Sequence, residues 1–372
     1  MRSLRRYLQD QIEHDLERKM VFVSGPRQVG KTTLARSLPE GRSGYLNWDI
    51  ADDRERILKR QLPFSPMWIF DEIHKYHSWR DYLKGLYDGR GDDRKILVTG
   101  SARLDFYRYS GDSLQGRYFL HRLHPLSVAE LGIENGEDFQ TLLELGGFPE
   151  PFFSASKIEA RRWSRAYRQL LIHEEIRSLE RIQDLGNLEL LMLRLPELVG
   201  SLLSINALRE DLRVAHKTVE SWVGALERLY SVFRIAPFGA PGIRAVKKAR
   251  KLYLFDWTLV TDPAARFENL VAVHLLKWVH WKQDSEGLDL ELRYLRDTDG
   301  REVDFVVCLA SQPQMLVECK WSEGRLDRSL RYASRRFPGC PAWQISAVGT
   351  KDSLTPEGIR IAPAPVFLKT LI

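Results

Sequence analysis

Residues 25–33, GPRQVGKTT, constrain this chain more than any other stretch. They fit the spacing G-x-x-x-x-G-K-[ST], with Gly25, Gly30, Lys31 and Thr32 at the required places. Glycine lets successive backbone N–H groups wrap a phosphate, lysine brings a point charge to the outer phosphates, and the threonine hydroxyl is a ligand for Mg²⁺. The apolar run KMVFVSG precedes the loop and the helix-like KTTLARSLPE comes after it, so strand, loop and helix are predicted in that order. Pro26, Arg27, Gln28, Val29 and Thr33 complete the expected nucleotide-binding stretch.

Further apolar runs at SGYLNWD, PMWIFDE and RKILVTGSA alternate with helix-like segments such as HSWRDYLKGLYDG, the rhythm of an α/β domain with a mostly parallel sheet. PMWIFDE ends in Asp71 and Glu72. Coupled to a phosphate loop, an Asp at a strand end holds the magnesium shell, and an adjacent Glu polarises the attacking water, so ATP hydrolysis is expected rather than binding alone. The next strand ends near Thr99 and Ser101, either of which is placed to reach the γ-phosphate or simply to cap the strand end. Arg117, in SLQGRYFL, is a candidate for stabilising transition-state charge, in cis or from a neighbouring subunit.

A chain of 372 residues exceeds a single core, and two or three domains are expected. The formal charge of +6, concentrated in runs such as ARRWSRAYRQ, AVKKARKL and RLDRSLRYASRR, makes a polyanion a candidate partner, DNA before RNA, against the plainer reading of solvated helix faces. Three cysteines without paired spacing indicate neither a disulfide framework nor a zinc site and fit a reducing cytoplasm. The first twenty residues are charged throughout, and no stretch approaches the roughly 18 apolar residues of a membrane span, so no membrane association is expected.

GPRQVGKTTL, FDEIHK, TGSA, LQGR, HPLSVAEL and GGFPEPF, in that order, resemble the bacterial and archaeal AAA-type ATPases that carry a C-terminal domain of unknown function. The resemblance implies a P-loop NTPase domain over residues 1–150, a helical and winged-helix-like region over 151–250, and a restriction-endonuclease-like α/β domain over 251–372 similar to PD-(D/E)xK nuclease cores. In the middle region, Leu208, Leu212, Val219, Trp222, Val223 and Leu226 have the spacing of a helix-turn-helix core, which leaves Lys217 near the exposed start of the second helix as a phosphate contact. Lys247 and Lys248 would add charge.

For the C-terminal region the resemblance implies Glu268 near a helix start, Asp304 in a strand, and Glu318 with Lys320 in the next strand, the two lying on one face because strand side chains repeat every two residues. Asp304 and Glu318, with Glu268, would hold Mg²⁺ or Mn²⁺ while Lys320 orients the water. Gly300 makes the turn aligning these strands. The expected function is thus ATP-hydrolysing action on DNA of a repair, recombination or defence type, with ATP and Mg²⁺ as cofactors. Two alternatives stay open: an ATP-dependent switch or scaffold that binds without cutting, and a homo-oligomeric motor of the helicase or branch-migration kind.

Overall fold

A computed structural model describes residues 4–89, 94–100, 114–176, 184–239 and 250–372. Ser101, Lys247 and Lys248 lie outside the described residues. The chain divides into two compact units, Met1–Pro125 and Leu126–Ile372. The expected breaks near 150 and 250 both fall inside the second unit. Among the described residues no helix is long and apolar enough to cross a membrane.

In the first unit, β1 (Met20–Ser24), β2 (Tyr45–Asn47), β3 (Met67–Asp71), β4 (Lys95–Thr99) and β5 (Tyr118–Arg122) form a parallel sheet in the order β2-β3-β4-β1-β5. The four runs read as strands are β1 to β4, and β5 is a fifth strand beyond those expected; β1 and β3 are buried along their whole length, as the continuous apolar sequences of interior parallel strands require. Phe22, Phe70 and Val98 from three strands pack with Trp79, Tyr82 and Leu83 of the helix Trp79–Asp88. The sheet order sets β1 beside β4 and β4 beside β3, with Val23 paired to Thr99 and Thr99 to Asp71, so the C-terminal ends of three strands meet where the phosphate loop begins. Open α/β sheets bind ligands along that edge.

In the second unit, β6 (Val232–Pro237), β7 (Lys251–Leu254), β8 (Leu290–Arg296), β9 (Glu302–Leu309), β10 (Gln312–Ser322), β11 (Ala342–Val348), β12 (Ser353–Leu354) and β13 (Ile359–Pro363) make one mixed sheet in the order β12-β13-β11-β10-β9-β8-β6-β7. Gly300, at φ +79°, closes the turn between β8 and β9 as expected. The turn between β9 and β10 uses Ala310 and Ser311, both at positive φ, a conformation their side chains do not announce.

The helices Ile205–Leu212 and His216–Arg228 form the expected pair, with Leu208, Leu212, Val219, Trp222, Val223 and Leu226 buried and Lys217 exposed on the first turn of the second helix. The strands after this pair are less separate than those of a free-standing winged helix: β6 pairs with β7 on one side and β8 on the other, so they belong to the C-terminal sheet.

HPLSVAEL also finds its place. Ser127 N-caps the short helix Val128–Leu131 in a reciprocal capping box with Glu130. Glu130 is ion-paired to Lys277 of the helix Pro263–Glu286, and His274 of the same helix accepts a hydrogen bond from the Val128 N–H at 3.1 Å.

Candidate functional site

The phosphate loop leaves β1 at Gly25, whose φ of +140° and tight surroundings exclude a side chain: a Cβ there would stand 2.2 Å from the Leu123 carbonyl oxygen. Gly30 ends the loop at φ +100° and begins the helix Lys31–Ser37. Lys31 is buried, and its ammonium donates to the Gly25 and Pro26 carbonyls at 3.0 and 2.6 Å, which holds its charge across the mouth of the loop. Arg6 braces the loop from beneath, donating to the Val29 carbonyl at 2.8 Å and the His124 carbonyl at 2.5 Å. Arg6 is itself buried. Sequence reading missed this role because Arg6 sits in the first twenty residues, charged throughout, where an arginine looks solvated.

Asp71, at the end of β3, accepts three hydroxyl hydrogen bonds: from Thr32 at 2.7 Å, from Tyr45 at 2.7 Å and from Thr99 at 2.6 Å. Burial and the bond to Asp71 push the Tyr45 phenol well above its ordinary range. Thr32 and Asp71 therefore stand together as expected, and Thr99 is engaged by Asp71. Their hard oxygens fit Mg²⁺, which takes one or two protein ligands and completes its shell from phosphates and water. Glu72 adopts the left-handed conformation at φ +59°, a strain of about 1–2 kcal/mol for a residue with a side chain. Its N–H is tied to the Thr99 carbonyl at 2.9 Å. The Glu72 carboxylate lies 3.4 Å from Lys75 Nζ and 3.6 Å from His74 Nε2. Burial pushes the Glu72 carboxyl up, against the pull of Lys75 and Lys31, which makes it a stronger proton acceptor than a solvated glutamate.

Arg117 requires a correction for the reading in cis. Parallel pairing sets Met20, the first residue of β1, opposite Tyr118, and Arg117 precedes Tyr118. It therefore stands at the N-terminal edge of the sheet, roughly 16 Å of strand away from the loop at about 3.3 Å per residue. There its guanidinium pairs with Asp88 at 2.8 and 3.2 Å.

In the second unit, the start of the helix Pro263–Glu286 is fastened to β7 by Asn269, whose side-chain amide exchanges hydrogen bonds with the Leu254 N–H and carbonyl at 2.9 and 2.6 Å. This brings Glu268 to Tyr253, whose hydroxyl donates to it at 2.7 Å. Asp304 and Glu318 meet across β9 and β10: Asp304 accepts from the Cys319 N–H at 2.9 Å, and Glu318 from the Asp304 N–H at 3.3 Å. Lys320 shares a face with Glu318, as expected, and its ammonium bonds Glu318 at 2.7 Å and Asp327 at 2.9 Å.

The unforeseen member is Lys251 of β7, only 3% exposed. Its Nζ stands 2.5 Å from Glu302, 3.7 Å from Glu268 and 3.8 Å from Asp304. Burial works against that charge, but Glu268, Asp304 and Glu302 outweigh it and hold the ammonium well above the ordinary lysine range. Burial and the neighbouring Asp304 push the carboxyls of Glu268 and Glu318 up. Among the described residues no three His, Cys, Asp or Glu side chains gather in an arrangement that could hold a metal ion. Glu268, Asp304 and Glu318 as placed do not fit a divalent cation. The signal for Lys251 was masked, since it closes the basic run AVKKARKL and so reads as part of a solvated or polyanion-binding face, although it also heads the apolar run LYLF, where a charge is costly unless paired.

Parts of the chain are similar to known proteins. Residues 17–132 match the family model of an AAA domain, residues 136–266 that of the domain of unknown function DUF8612, and residues 264–364 that of the domain of unknown function DUF4143. Uncharacterized proteins of Mycobacterium bovis and Mycobacterium tuberculosis are each 25% identical over 373 residues, covering 90% of this chain and 82% of the relative. Among solved structures, a Walker-type ATPase of Pyrococcus abyssi is similar over 69% of this chain and 95% of its own, with 15% identity and a TM-score of 0.44. A RuvB variant of Thermotoga maritima is similar over 61% and 88%, with 17% identity and a TM-score of 0.28. The parallel sheet with the phosphate loop at its C-terminal edge is a P-loop NTPase arrangement, and residues 17–132, which contain it, are similar to the AAA-domain family.

Proposed function

We propose that this protein binds ATP with Mg²⁺, hydrolyses it, and couples turnover to DNA. The observation that carries the reading is the joining of Thr32, Tyr45 and Thr99 on Asp71, beside Glu72 and the loop closed by Lys31. The backbone amides of residues 25–33 cradle the phosphates, and Lys31 turns from the loop carbonyls to the β- and γ-phosphates. Thr32 and Asp71 would hold Mg²⁺, which supplies charge neutralisation between those phosphates when bound. Glu72 orients the attacking water and accepts its proton. Arg117 keeps a role at the phosphates only from a neighbouring subunit.

DNA contact rests on the exposed Lys217 at the start of the second helix of its pair and on the net positive charge. For the C-terminal domain one observation favours binding without cleavage: Lys251 stands among the carboxylates that a metal-dependent nuclease would need free. The test is ATP turnover with and without duplex, single-stranded and branched DNA, with cleavage followed in the same mixtures. Lys31→Ala should abolish turnover, DNA should stimulate it, and Lys217→Glu should weaken duplex binding and flatten its salt dependence. Turnover undiminished in Lys31→Ala refutes the ATPase reading, absence of any DNA effect refutes the coupling, and Mg²⁺-dependent cutting abolished by Asp304→Ala refutes the non-cleaving one.

A further inference from the structure

We propose that Lys251 is the resident cation of the acidic pocket in the second unit, taking the place of a divalent metal and keeping metal out. The inference rests on the non-cleaving reading of this domain and gives its cause. Three carboxylates converge from two separate elements: Glu268 from the helix start, and Glu302 and Asp304 from β9. At their convergence is an ammonium, delivered by β7 at 2.5 to 3.8 Å from all three. A hard divalent cation binds such oxygens at about 2.0–2.6 Å, so it would compete for the same oxygens and meet a like charge there.

The other oxygens are also engaged. The second Asp304 oxygen takes the Cys319 N–H at 2.9 Å, the second Glu302 oxygen lies 3.7 Å from Arg296, the Glu268 oxygen that faces Lys251 also takes the Tyr253 hydroxyl at 2.7 Å, and Glu318 is held by Lys320 at 2.7 Å and by the Asp304 N–H at 3.3 Å. Lys320 in turn is held by Asp327 at 2.9 Å. Two ammoniums are therefore interleaved with five carboxylates, and much of the charge that a metal would balance is balanced by the chain.

Lys251 could not be exchanged for an apolar residue without consequence. Its carboxylate partners, on the helix and β9, would face one another across the space that the ammonium filled. Like charges at that range disfavour ionisation unless a cation arrives. The carboxylates' present placement around the ammonium is not one that holds a metal, and Lys251→Met should free them to draw together on a divalent cation, turning a metal-excluding pocket into a metal-binding one.

The measurement is Mn²⁺ binding to nucleotide-free full-length protein, read from the loss of the free-ion electron paramagnetic resonance signal. A Thr32→Ala background removes the phosphate-loop ligand. With Lys251 present, no Mn²⁺ should bind at this pocket at millimolar ion. Lys251→Met should gain one site, at least about tenfold tighter than any in the parent. The gained site should be lost again when Asp304→Asn is added. One Mn²⁺ bound in the Lys251 parent and lost on Asp304→Asn overturns the proposal, and this arm needs no Lys251 variant to fold. A folded Lys251→Met protein that gains no site also overturns it. Metal binding is read apart from cleavage, so a protein that binds Mn²⁺ here and cuts nothing sinks this inference alone. Cutting without bound metal sinks only the non-cleaving reading.

Discussion

Lys277→Met should destabilise the second unit by more than most single substitutions do, and the structure says how much. The Lys277 and Glu130 side chains are 1% and 2% exposed, and their ion pair is supplemented by the Ser127 hydroxyl, which accepts from Lys277 Nζ at 2.9 Å. Glu130 also accepts from the Ser127 N–H at 3.2 Å and from its hydroxyl at 3.3 Å, so removing the lysine takes the ammonium away from a buried carboxylate that keeps these neutral donors. Breaking one side of a buried pair costs about 3–5 kcal/mol. For a unit of this size each kcal/mol lowers the melting temperature by about 2–4 °C, so a drop of about 6–20 °C is expected. Differential scanning calorimetry measures it, with Glu130→Gln and the double variant completing a thermodynamic cycle. The double variant should cost less than the sum of the singles by at least about 2 kcal/mol, since removing both charges removes the desolvation penalty as well. If Lys277→Met melts within a degree of the parent, or the two costs simply add, the pair is not the buried, mutually dependent contact described and the reasoning fails.

Other outcomes concern the nucleotide site. Glu72→Gln should lower the ATP turnover number by about 10²–10⁴-fold while nucleotide affinity changes little; equal turnover would remove Glu72 from the chemistry. Because burial raises the Glu72 pKa and the base must be ionised, turnover in the parent should rise with pH through a limb displaced above the ordinary glutamate value of 4.5, and a limb at or below that value would contradict the assigned environment. Arg6→Ala should weaken ATP binding without touching any phosphate, because it frees the Val29 and His124 carbonyls that fix the loop; isothermal titration with unchanged affinity would show that the loop holds its shape unaided.

Legibility depended on how local each feature is. The phosphate loop was readable because one continuous stretch carries all its chemistry, and Asp71 and Glu72 because they end an apolar run coupled to that loop. The helix pair around Lys217 was readable for the same reason: its buried residues repeat at helical spacing within two adjacent segments. The joining of Glu318 and Lys320 on one face came from the two-residue period of a strand. The turn at Ala310 and Ser311 was not readable, since neither residue is a customary carrier of positive φ.

The sequence by itself determined the residue types, the order of the strands along the chain and the local geometry of the nucleotide loop. Only the tertiary structure decided which end of the sheet Arg117 occupies, because parallel register places it beside the start of β1 and not its end. It also decided that Arg6 braces the loop and that Lys251 stands among Glu268, Glu302 and Asp304. The physical reason is common to these cases. Pairing of distant strands and docking of a helix on a sheet bring together charges whose separation along the chain carries no periodic signal, and the cost of burying a charge is met by partners that no local pattern names.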